Sequence, residues 1–233
     1  MVNLEKRNTL MLNKFEKSFT VLFFIIVIIE LFSKNLEALS SFHNISKPLI
    51  LVSLILFFYF KSEHLAIKTK RLMLLALTMS LIGDVFLMLD DISPIYFIAG
   101  LLSFLLAHLF YILVFLNRRN NKIKPLGFFT ILIIYTFGLL YLVKNGLGTM
   151  LYPVIIYVLA ILSMAITASL RKGNVPTLSY NLVLTGALLF LISDSFVAIN
   201  KFYLAIPGEH IIIMSSYSIA QYCIVMGVLK QKK

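Results

Sequence analysis

Residues 93–116 read SPIYFIAGLLSFLLAHLFYILVFL, a run without a single Asp, Glu, Lys or Arg. At a rise of 1.5 Å per residue, a helix of this length is about 36 Å long and crosses the roughly 30 Å hydrocarbon core of a bilayer. The apolar residues are continuous rather than alternating, which argues against the strands of a transmembrane barrel. The run therefore predicts a transmembrane helix.

The rest of the chain follows the same pattern. Of its 233 residues 60% are hydrophobic and only 13% are charged, and the mean hydropathy is +0.96. Soluble domains carry about 25% charged residues, so this chain has too few charges to cover a surface in water. We predict an all-α membrane protein of about eight transmembrane helices in one bundle, near Ser18–Phe32, Ser46–Phe60, Thr69–Leu89, Ser93–Leu116, Pro125–Val143, Thr149–Leu170, Ser179–Lys201 and His210–Leu229. Residues 1–233 then form a single multi-pass domain, with residues 1–17 as a polar leader.

The basic residues predict an orientation. All but four of the 21 Lys and Arg residues fall at the two termini or in every second loop, and the four exceptions are Lys34, Lys47, Lys144 and Lys201. By the positive-inside rule, both termini lie in the cytoplasm. The net charge of +11 sits in loops that meet anionic lipid headgroups, so it does not indicate a nucleic-acid partner.

The first apolar run is predicted to stay in the protein rather than to be a signal peptide. Its polar leader is long, and no small-x-small cleavage pattern follows it. Cys223 is the one cysteine of the chain, so an intrachain disulfide is excluded. Without eukaryotic targeting signals, the expected location is a bacterial plasma membrane.

A few ionisable residues lie within or at the ends of the apolar runs. Charged groups inside a span are costly and usually face a cavity or a partner. Counted from the cytoplasmic ends of their spans, Asp84 lies about 21 Å deep and Asp194 about 22 Å deep. Lys47 and Lys201 fall near the same side. Two carboxyl groups at one depth with basic residues nearby favour a site over two separate helix contacts.

His108 fits this site less well. Counting along its span places it about 12 Å deeper than the two carboxyl groups, and Tyr111, one turn further on, shares its face but is deeper still. A histidine alone in a span is more often a structural residue with a satisfied hydrogen bond than a catalytic one.

A faint repeat relates the two halves of the chain. Leu81-Ile82-Gly83-Asp84-Val85-Phe86 resembles Leu191-Ile192-Ser193-Asp194-Ser195-Phe196, and Ala107-His108 corresponds to Ala220-Gln221. Four spans separate each pair, which predicts a parallel 4+4 repeat.

The types and spacing of the possible ligand residues in the sequence disfavour metal and cofactor chemistry. A hydrolytic zinc site commonly uses two or three His ligands. The four histidines are His43, His64, His108 and His210, without a His-x-x-x-His pair. Glu30 is interpreted as an interfacial residue. We predict no metal and no cofactor.

The polar residues belong to short stretches that follow one another along the chain. These are Lys47-Pro48-Leu49, Gly83-Asp84-Val85-Phe86-Leu87-Met88, the series Gly100, Phe104, Ala107, His108 and Tyr111, Gly186 to Phe190 with Ile192-Ser193-Asp194-Ser195, Lys201-Phe202, and Tyr217 with Ala220-Gln221. The ordered set resembles the YhhN family of integral membrane proteins, the lysoplasmalogenase family.

The resemblance implies an eight-span fold that hydrolyses the vinyl ether bond of lysoplasmalogens, giving a fatty aldehyde and a glycerophospho-head group. The substrate would be a lysophospholipid of the surrounding bilayer. Acid-catalysed cleavage of a vinyl ether needs one protonated acid and one anion, the division of labour that glycosidases give to two carboxyl groups. We expect Asp84 and Asp194 to form this catalytic pair.

The other polar residues are predicted to bind substrate or water. Lys47 and Lys201 are expected to bind the phosphate, and His108, Tyr111 and Gln221 to orient water or the glycerol hydroxyl. Three alternatives remain open: a transporter or lipid-handling protein that uses the aspartates as a proton relay, a hydrolase of another lysolipid, and a serine hydrolase built on Ser195.

Overall fold

A computed structural model describes residues 14–33 and 40–231, with side chains from residue 43 onward in the second stretch. All regular structure in those residues is helical. In chain order the helices are α1 Lys14–Ser33, α2 Ser40–Lys61, α3 Ile67–Leu87, α4 Pro94–Leu116, α5 Leu126–Leu147, α6 Leu151–Ser169, α7 Thr177–Phe202 and α8 Glu209–Leu229. A 3₁₀ turn at Gly148–Met150 separates α5 from α6. Most of the predicted leader, residues 1–13, lies outside the described residues.

In the described part of the chain, five stretches are long and apolar enough to cross a membrane. They are His43–Lys61, Pro94–Leu116, Leu126–Ser169, Thr177–Phe202 and Glu209–Leu229, and the third of them holds both α5 and α6. The prediction of an all-α membrane protein is confirmed at this level. That eight helices cross the bilayer stays a prediction, since α1 and α3 carry several charged residues.

The second helix begins earlier than its sequence suggests. Because proline lacks an N–H and crowds the preceding turn, Pro48 predicted a first helical turn. In the structure α2 starts at Ser40, so Pro48 lies inside the helix and that prediction is wrong. The start of α4 agrees with expectation, because Pro94 occupies its first position and the Ser93 hydroxyl accepts a hydrogen bond from the Ile95 N–H.

The helices pack in a ring in which α4 contacts α6 directly and α8 returns to α1 and α2, while α5 packs outside against α6 and α7. The most extensive contacts join α3 to α4 and α7 to α8. Glycines allow these approaches. A methyl group on Gly83 would meet the Phe104 ring at 2.7 Å, and one on Gly186 would meet the Ala220 carbonyl oxygen at 2.8 Å.

Glu30 is enclosed by its neighbours at the end of α1. Its side chain is fully buried there and meets His43 and His210. The first turns of α2 and α8 cover this end of α1, and the depth of Glu30 in the membrane stays a prediction.

Candidate active site

A pocket lies among α2 to α8, and both predicted catalytic carboxyl groups line it. Its walls are mainly apolar, with side chains such as Leu101, Phe104 and Ile161. The cavity volume of about 100 Å³ is room for several water molecules. Its polar lining residues are Lys47, Tyr135, Thr136, Tyr157, Ser193, Ser195 and Tyr217, besides Asp84 and Asp194.

Asp84 is the more buried of the two carboxyl groups. Only 2% of the surface of Asp84 is exposed. The Tyr217 hydroxyl from α8 donates a hydrogen bond of 2.8 Å to the Oδ2 atom of Asp84. Lys47, Glu30 and Asp194 lie close enough to interact with its charge. Asp84 thus has one hydrogen-bond donor, one nearby cation and two nearby acidic groups in a pocket with mainly apolar walls.

Asp194 has a different environment. The Tyr157 hydroxyl from α6 donates a hydrogen bond of 2.5 Å to its Oδ2 atom, and the Nε2 atom of His108 lies 3.4 Å from the same oxygen. His108 Nε2 is also 3.0 Å from the Tyr157 oxygen. Since Tyr157 gives its proton to Asp194, Nε2 is the donor in both histidine contacts. Two donors converge on this carboxylate, whose side chain is 18% exposed.

The predicted depth of His108 is wrong. Phe97 of α4 packs against Phe202 of α7, with ring centroids 5.9 Å apart, and this contact sets the register of the two helices. His108 is then 11 residues or about 16 Å from Phe97, and Asp194 is 8 residues or about 12 Å from Phe202. The remaining difference of about 4 Å is within side-chain reach. The prediction failed because it counted Asp194 and His108 from opposite ends of their spans, so the tilt of each helix and the uncertain span ends entered the difference.

Tyr111 and Gln221 come together but do not reach the pocket wall. The Tyr111 hydroxyl donates a hydrogen bond of 2.5 Å to Gln221 Oε1, and both side chains are fully buried. Gln221 lies one turn after Tyr217 on α8, and the Tyr217 hydroxyl contacts Asp84. In the described structure neither Tyr111 nor Gln221 has a side-chain hydrogen bond to Asp84 or Asp194.

Lys201 lies beside the pocket. Its Nζ atom is 2.9 Å from Asp90 and 4.8 Å from the centre of the Phe97 ring, which lines the cavity. The lysine side chain is 42% exposed. Lys47 instead lines the cavity itself, so the two lysines, predicted to play one role, occupy different positions.

Ser195 lines the pocket, but its hydroxyl is not activated as a nucleophile. Its hydroxyl donates to the Leu191 carbonyl at 2.7 Å and accepts from Tyr135 at 2.8 Å. Because the proton is held by a backbone carbonyl, no side-chain base takes it in the described structure. This arrangement counts against the serine hydrolase alternative.

Sequence reasoning missed the two tyrosines that contact the carboxyl groups. Tyr217 belongs to one of the stretches that carry the family resemblance, but no role followed from it. Tyr157 lies in a continuous apolar run, where a tyrosine cannot be told from a packing aromatic. Only the distances to Asp84 and Asp194 show what these hydroxyls do.

The fold and the pocket define an integral membrane protein of the helical class with two carboxyl groups held in a largely apolar cavity. The chain belongs to the YhhN family, whose family model matches residues 42–228. That range includes each of the site residues described above.

Curated relatives carry one description. The chain is 31% identical to lysoplasmalogenase TMEM86A of Homo sapiens over 163 residues, which cover 67% of this chain and 65% of the relative. Identity to TMEM86A of Bos taurus is 33% with the same coverage, and identity to lysoplasmalogenase TMEM86B of Homo sapiens is 31% over 66% of this chain and 62% of the relative. The match thus spans a little under two thirds of the length of these relatives. No solved structure matches the chain.

Proposed function

We propose that this protein hydrolyses the vinyl ether bond of lysoplasmalogens, releasing a fatty aldehyde and a glycerophospho-head group such as glycerophosphoethanolamine or glycerophosphocholine. The single observation that carries the proposal is that Asp84 and Asp194 line the same apolar pocket. The descriptions of the relatives supply the substrate class. The substrate is a lysophospholipid of the surrounding membrane.

The reaction needs an acid, an anion and a water molecule. The acid protonates the β-carbon of the vinyl ether, and the double bond becomes an oxocarbenium ion. Water then adds to the carbon that bears the oxygen and loses a proton to the anion. The resulting hemiacetal breaks its bond to the glycerol oxygen and gives the aldehyde and the alcohol. One water molecule is consumed, and the acid is restored when the proton that the anion accepted from water passes back to it.

The surroundings of the two carboxyl groups support a division of roles. Asp84 has one hydroxyl donor and little contact with solvent, and burial without full pairing disfavours a charged carboxylate. Asp194 receives donors from Tyr157 and His108, and such charge-assisted hydrogen bonds stabilise an anion. We therefore assign Asp84 as the acid and Asp194 as the anion that stabilises the oxocarbenium ion and accepts the proton of water.

The walls of the pocket support a lipid substrate. Aliphatic and aromatic side chains from six helices suit the vinyl ether and the first carbons of the alkyl chain. Lys201 lies beside the lining residue Phe97 and is exposed, so its ammonium group is available to the phosphate. Lys47, inside the cavity, instead acts next to Asp84.

The proposal is tested by incubating the purified protein in detergent micelles with lysoplasmenyl-ethanolamine and measuring aldehyde release. A matched control is the 1-acyl lysolipid with the same head group and chain length. We expect aldehyde from the vinyl ether lipid and no fatty acid from the acyl lipid. Release of fatty acid with no aldehyde would favour a hydrolase of another lysolipid.

The same assay in heavy water tests the protonation step. Protonation at the β-carbon places one deuterium on the carbon next to the aldehyde group, which mass spectrometry of the rapidly reduced product detects. An aldehyde that carries no deuterium would contradict carbon protonation even if the substrate is correct.

A second function, proton-coupled transport, is favoured by one observation. Tyr217 donates a hydrogen bond to Asp84, and Tyr111 donates one to Gln221, so a series of two hydrogen-bonded pairs leads away from the pocket into the core between α4 and α8. Such a series resembles an intramembrane proton relay. Uptake of a labelled solute by proteoliposomes, abolished in Tyr111→Phe, with no ether lipid turnover, would support this function over hydrolysis.

The topology and location stay predictions. The repeat is supported by the packing of α3 on α4 and of α7 on α8, the two pairs that it equates, each around a glycine. Eight crossings, cytoplasmic termini, one domain over residues 1–233 and a bacterial plasma membrane are proposed from the sequence. Reporter fusions at the two termini test the orientation.

A further inference from the structure

Three side chains meet at one end of the helix bundle, outside the lining of the pocket. Glu30 comes from the end of α1, His43 from the first part of α2 and His210 from the first turn of α8. One carboxylate oxygen and one ring nitrogen from each histidine lie within 4.8 Å of one another. Glu30 is fully buried, and the side chains of His210 and His43 are 8% and 19% exposed. None of the three lines the carboxylate pocket.

The distances match those between ligands of one metal ion. The Oε1 atom of Glu30 is 2.9 Å from His43 Nδ1 and 3.5 Å from His210 Nε2. Zinc binds nitrogen and carboxylate oxygen at about 2.0–2.2 Å, so two ligands at the tetrahedral angle are about 3.3 Å apart. The observed separations lie on either side of this value.

Hydrogen bonding does not account for the closest contact. Although Glu30 Oε1 and His43 Nδ1 are only 2.9 Å apart, neither atom has a partner in hydrogen-bond geometry among the described residues. The ring nitrogen is therefore not directed at the oxygen. A cation next to both atoms would use the carboxylate oxygen and the nitrogen lone pair, which otherwise stay unused inside the protein.

The second oxygen of the Glu30 carboxylate is also bound. The Ser46 hydroxyl, one turn after His43, donates a hydrogen bond to Oε2 of Glu30. This contact leaves Oε1 facing the two histidines. Outer contacts of this kind orient metal-binding carboxylates and are part of most metal sites.

We propose that Glu30, His43 and His210 bind one zinc ion or a divalent transition metal of similar preference. Two imidazoles and one carboxylate are ligands typical of zinc sites with an open fourth position, which water would occupy. Calcium and magnesium are disfavoured because they prefer oxygen ligands throughout. The ion would join α1 to α2 and α8, and the prediction of no metal from the spacing of the histidines would be wrong.

The test uses the full-length protein purified in detergent and stripped with a chelator. Zinc added back should bind at one ion per chain, measured by elemental analysis after gel filtration. At a hundredfold excess over its Kd, zinc should raise the Tm by about 5–10 °C. Cobalt as a probe should give the visible absorption bands of a tetrahedral site. These three measurements need no variant.

Variants then locate the site. His43→Ala, His210→Ala and Glu30→Gln should each weaken zinc binding at least tenfold, and Ser46→Ala about tenfold. The control is His64→Ala, which removes a histidine that contacts the Leu229 carbonyl oxygen at 2.9 Å, and it should bind zinc like the wild type. Substoichiometric binding by the wild type, a Tm indifferent to zinc, or equal losses in His64→Ala and His43→Ala would overturn the proposal.

Discussion

Tyr157 on α6 donates a 2.5 Å hydrogen bond to Asp194 on α7, and the same oxygen of Asp194 faces His108 on α4. Side chains from two other helices therefore support the carboxylate that α7 carries. Asp84 receives its hydroxyl donor from a fourth helix, α8, through Tyr217. The two carboxyl groups share a cavity but have different neighbours, and on this difference the proposed acid and anion roles depend.

Replacing Tyr157 by Phe should lower kcat by about ten- to a hundredfold. The substitution keeps the ring and removes one hydrogen bond to a charged group, which contributes about 1.5–3 kcal/mol. The rate of aldehyde release measures the effect. Tyr152→Phe is the control, because Tyr152 lies on the same helix and is 76% exposed. Equal rates in Tyr157→Phe and the wild type would show that this contact only holds α6 against α7.

Asp84→Asn and Asp194→Asn should each lower aldehyde release by at least about a hundredfold, the low end of the effect of a general acid or base. Amides keep the shape of the side chain but neither supply the proton nor carry the charge. The matched control is Asp91→Asn, the same change at an exposed loop position, with an expected rate close to that of the wild type. Full activity in either pocket variant contradicts the carboxyl-pair mechanism.

The two lysines should affect different kinetic constants. Lys201→Met is expected to raise KM about fivefold with kcat unchanged, since an exposed lysine near a lipid phosphate contributes about 1 kcal/mol. Lys47→Met should lower kcat at least tenfold, because it removes the cation that stabilises the Asp84 carboxylate once Asp84 has given up its proton. Steady-state kinetics separate the two effects. Lys144→Met, in which an exposed lysine lies over the Tyr141 ring, is the control. Identical kinetic changes in Lys201→Met and Lys47→Met would refute separate roles for these two lysines.

Gly186→Ala should destabilise the protein by about 1–3 kcal/mol, because the new methyl group would lie 2.8 Å from the Ala220 carbonyl oxygen and force α7 away from α8. Gly138→Ala, the same change inside α5, meets no heavy atom within 4 Å and should be neutral or stabilising by about 0.5–1 kcal/mol. Thermal unfolding in detergent compares the two variants. A higher Tm for Gly186→Ala than for Gly138→Ala would show that α7 and α8 tolerate separation.

Much of the architecture could be predicted from composition and hydropathy alone. Continuous apolar runs indicate membrane helices. In the bilayer core no water is present to pair with the backbone, and a single segment satisfies all its N–H and C=O groups only as a helix. The start of α4 also follows from local signals, with Ser93 as the cap and Pro94 at the first position. The start of α2 does not, because Pro48 is typical of a first helical turn, whereas this helix begins earlier and continues through it.

The carboxyl pair could be nominated from the sequence because a charged group inside an apolar run is costly and stands out. The hydroxyl groups that donate hydrogen bonds to these carboxyl groups could not be predicted. Tyr157 and Tyr217 look like packing aromatics in the sequence, and their hydroxyls acquire a role only when the folded bundle brings them to Asp194 on α7 and to Asp84 on α3. Helix tilt and register decide such contacts, and neither is encoded in the spacing within one run. His108 shows this most plainly, since the Phe97–Phe202 contact brings it to Asp194.

By itself the sequence determined the class of structure, the presence of two aspartates inside apolar runs, and the family. Hydropathy, isolated charges and short ordered stretches are local properties of the chain. Tertiary structure alone decided which groups surround each carboxyl group, that Lys47 and Lys201 differ in position, and that Glu30, His43 and His210 meet. Those outcomes depend on which faces of separate helices touch. That is set by packing around residues such as Gly83 and Gly186 over the whole bundle.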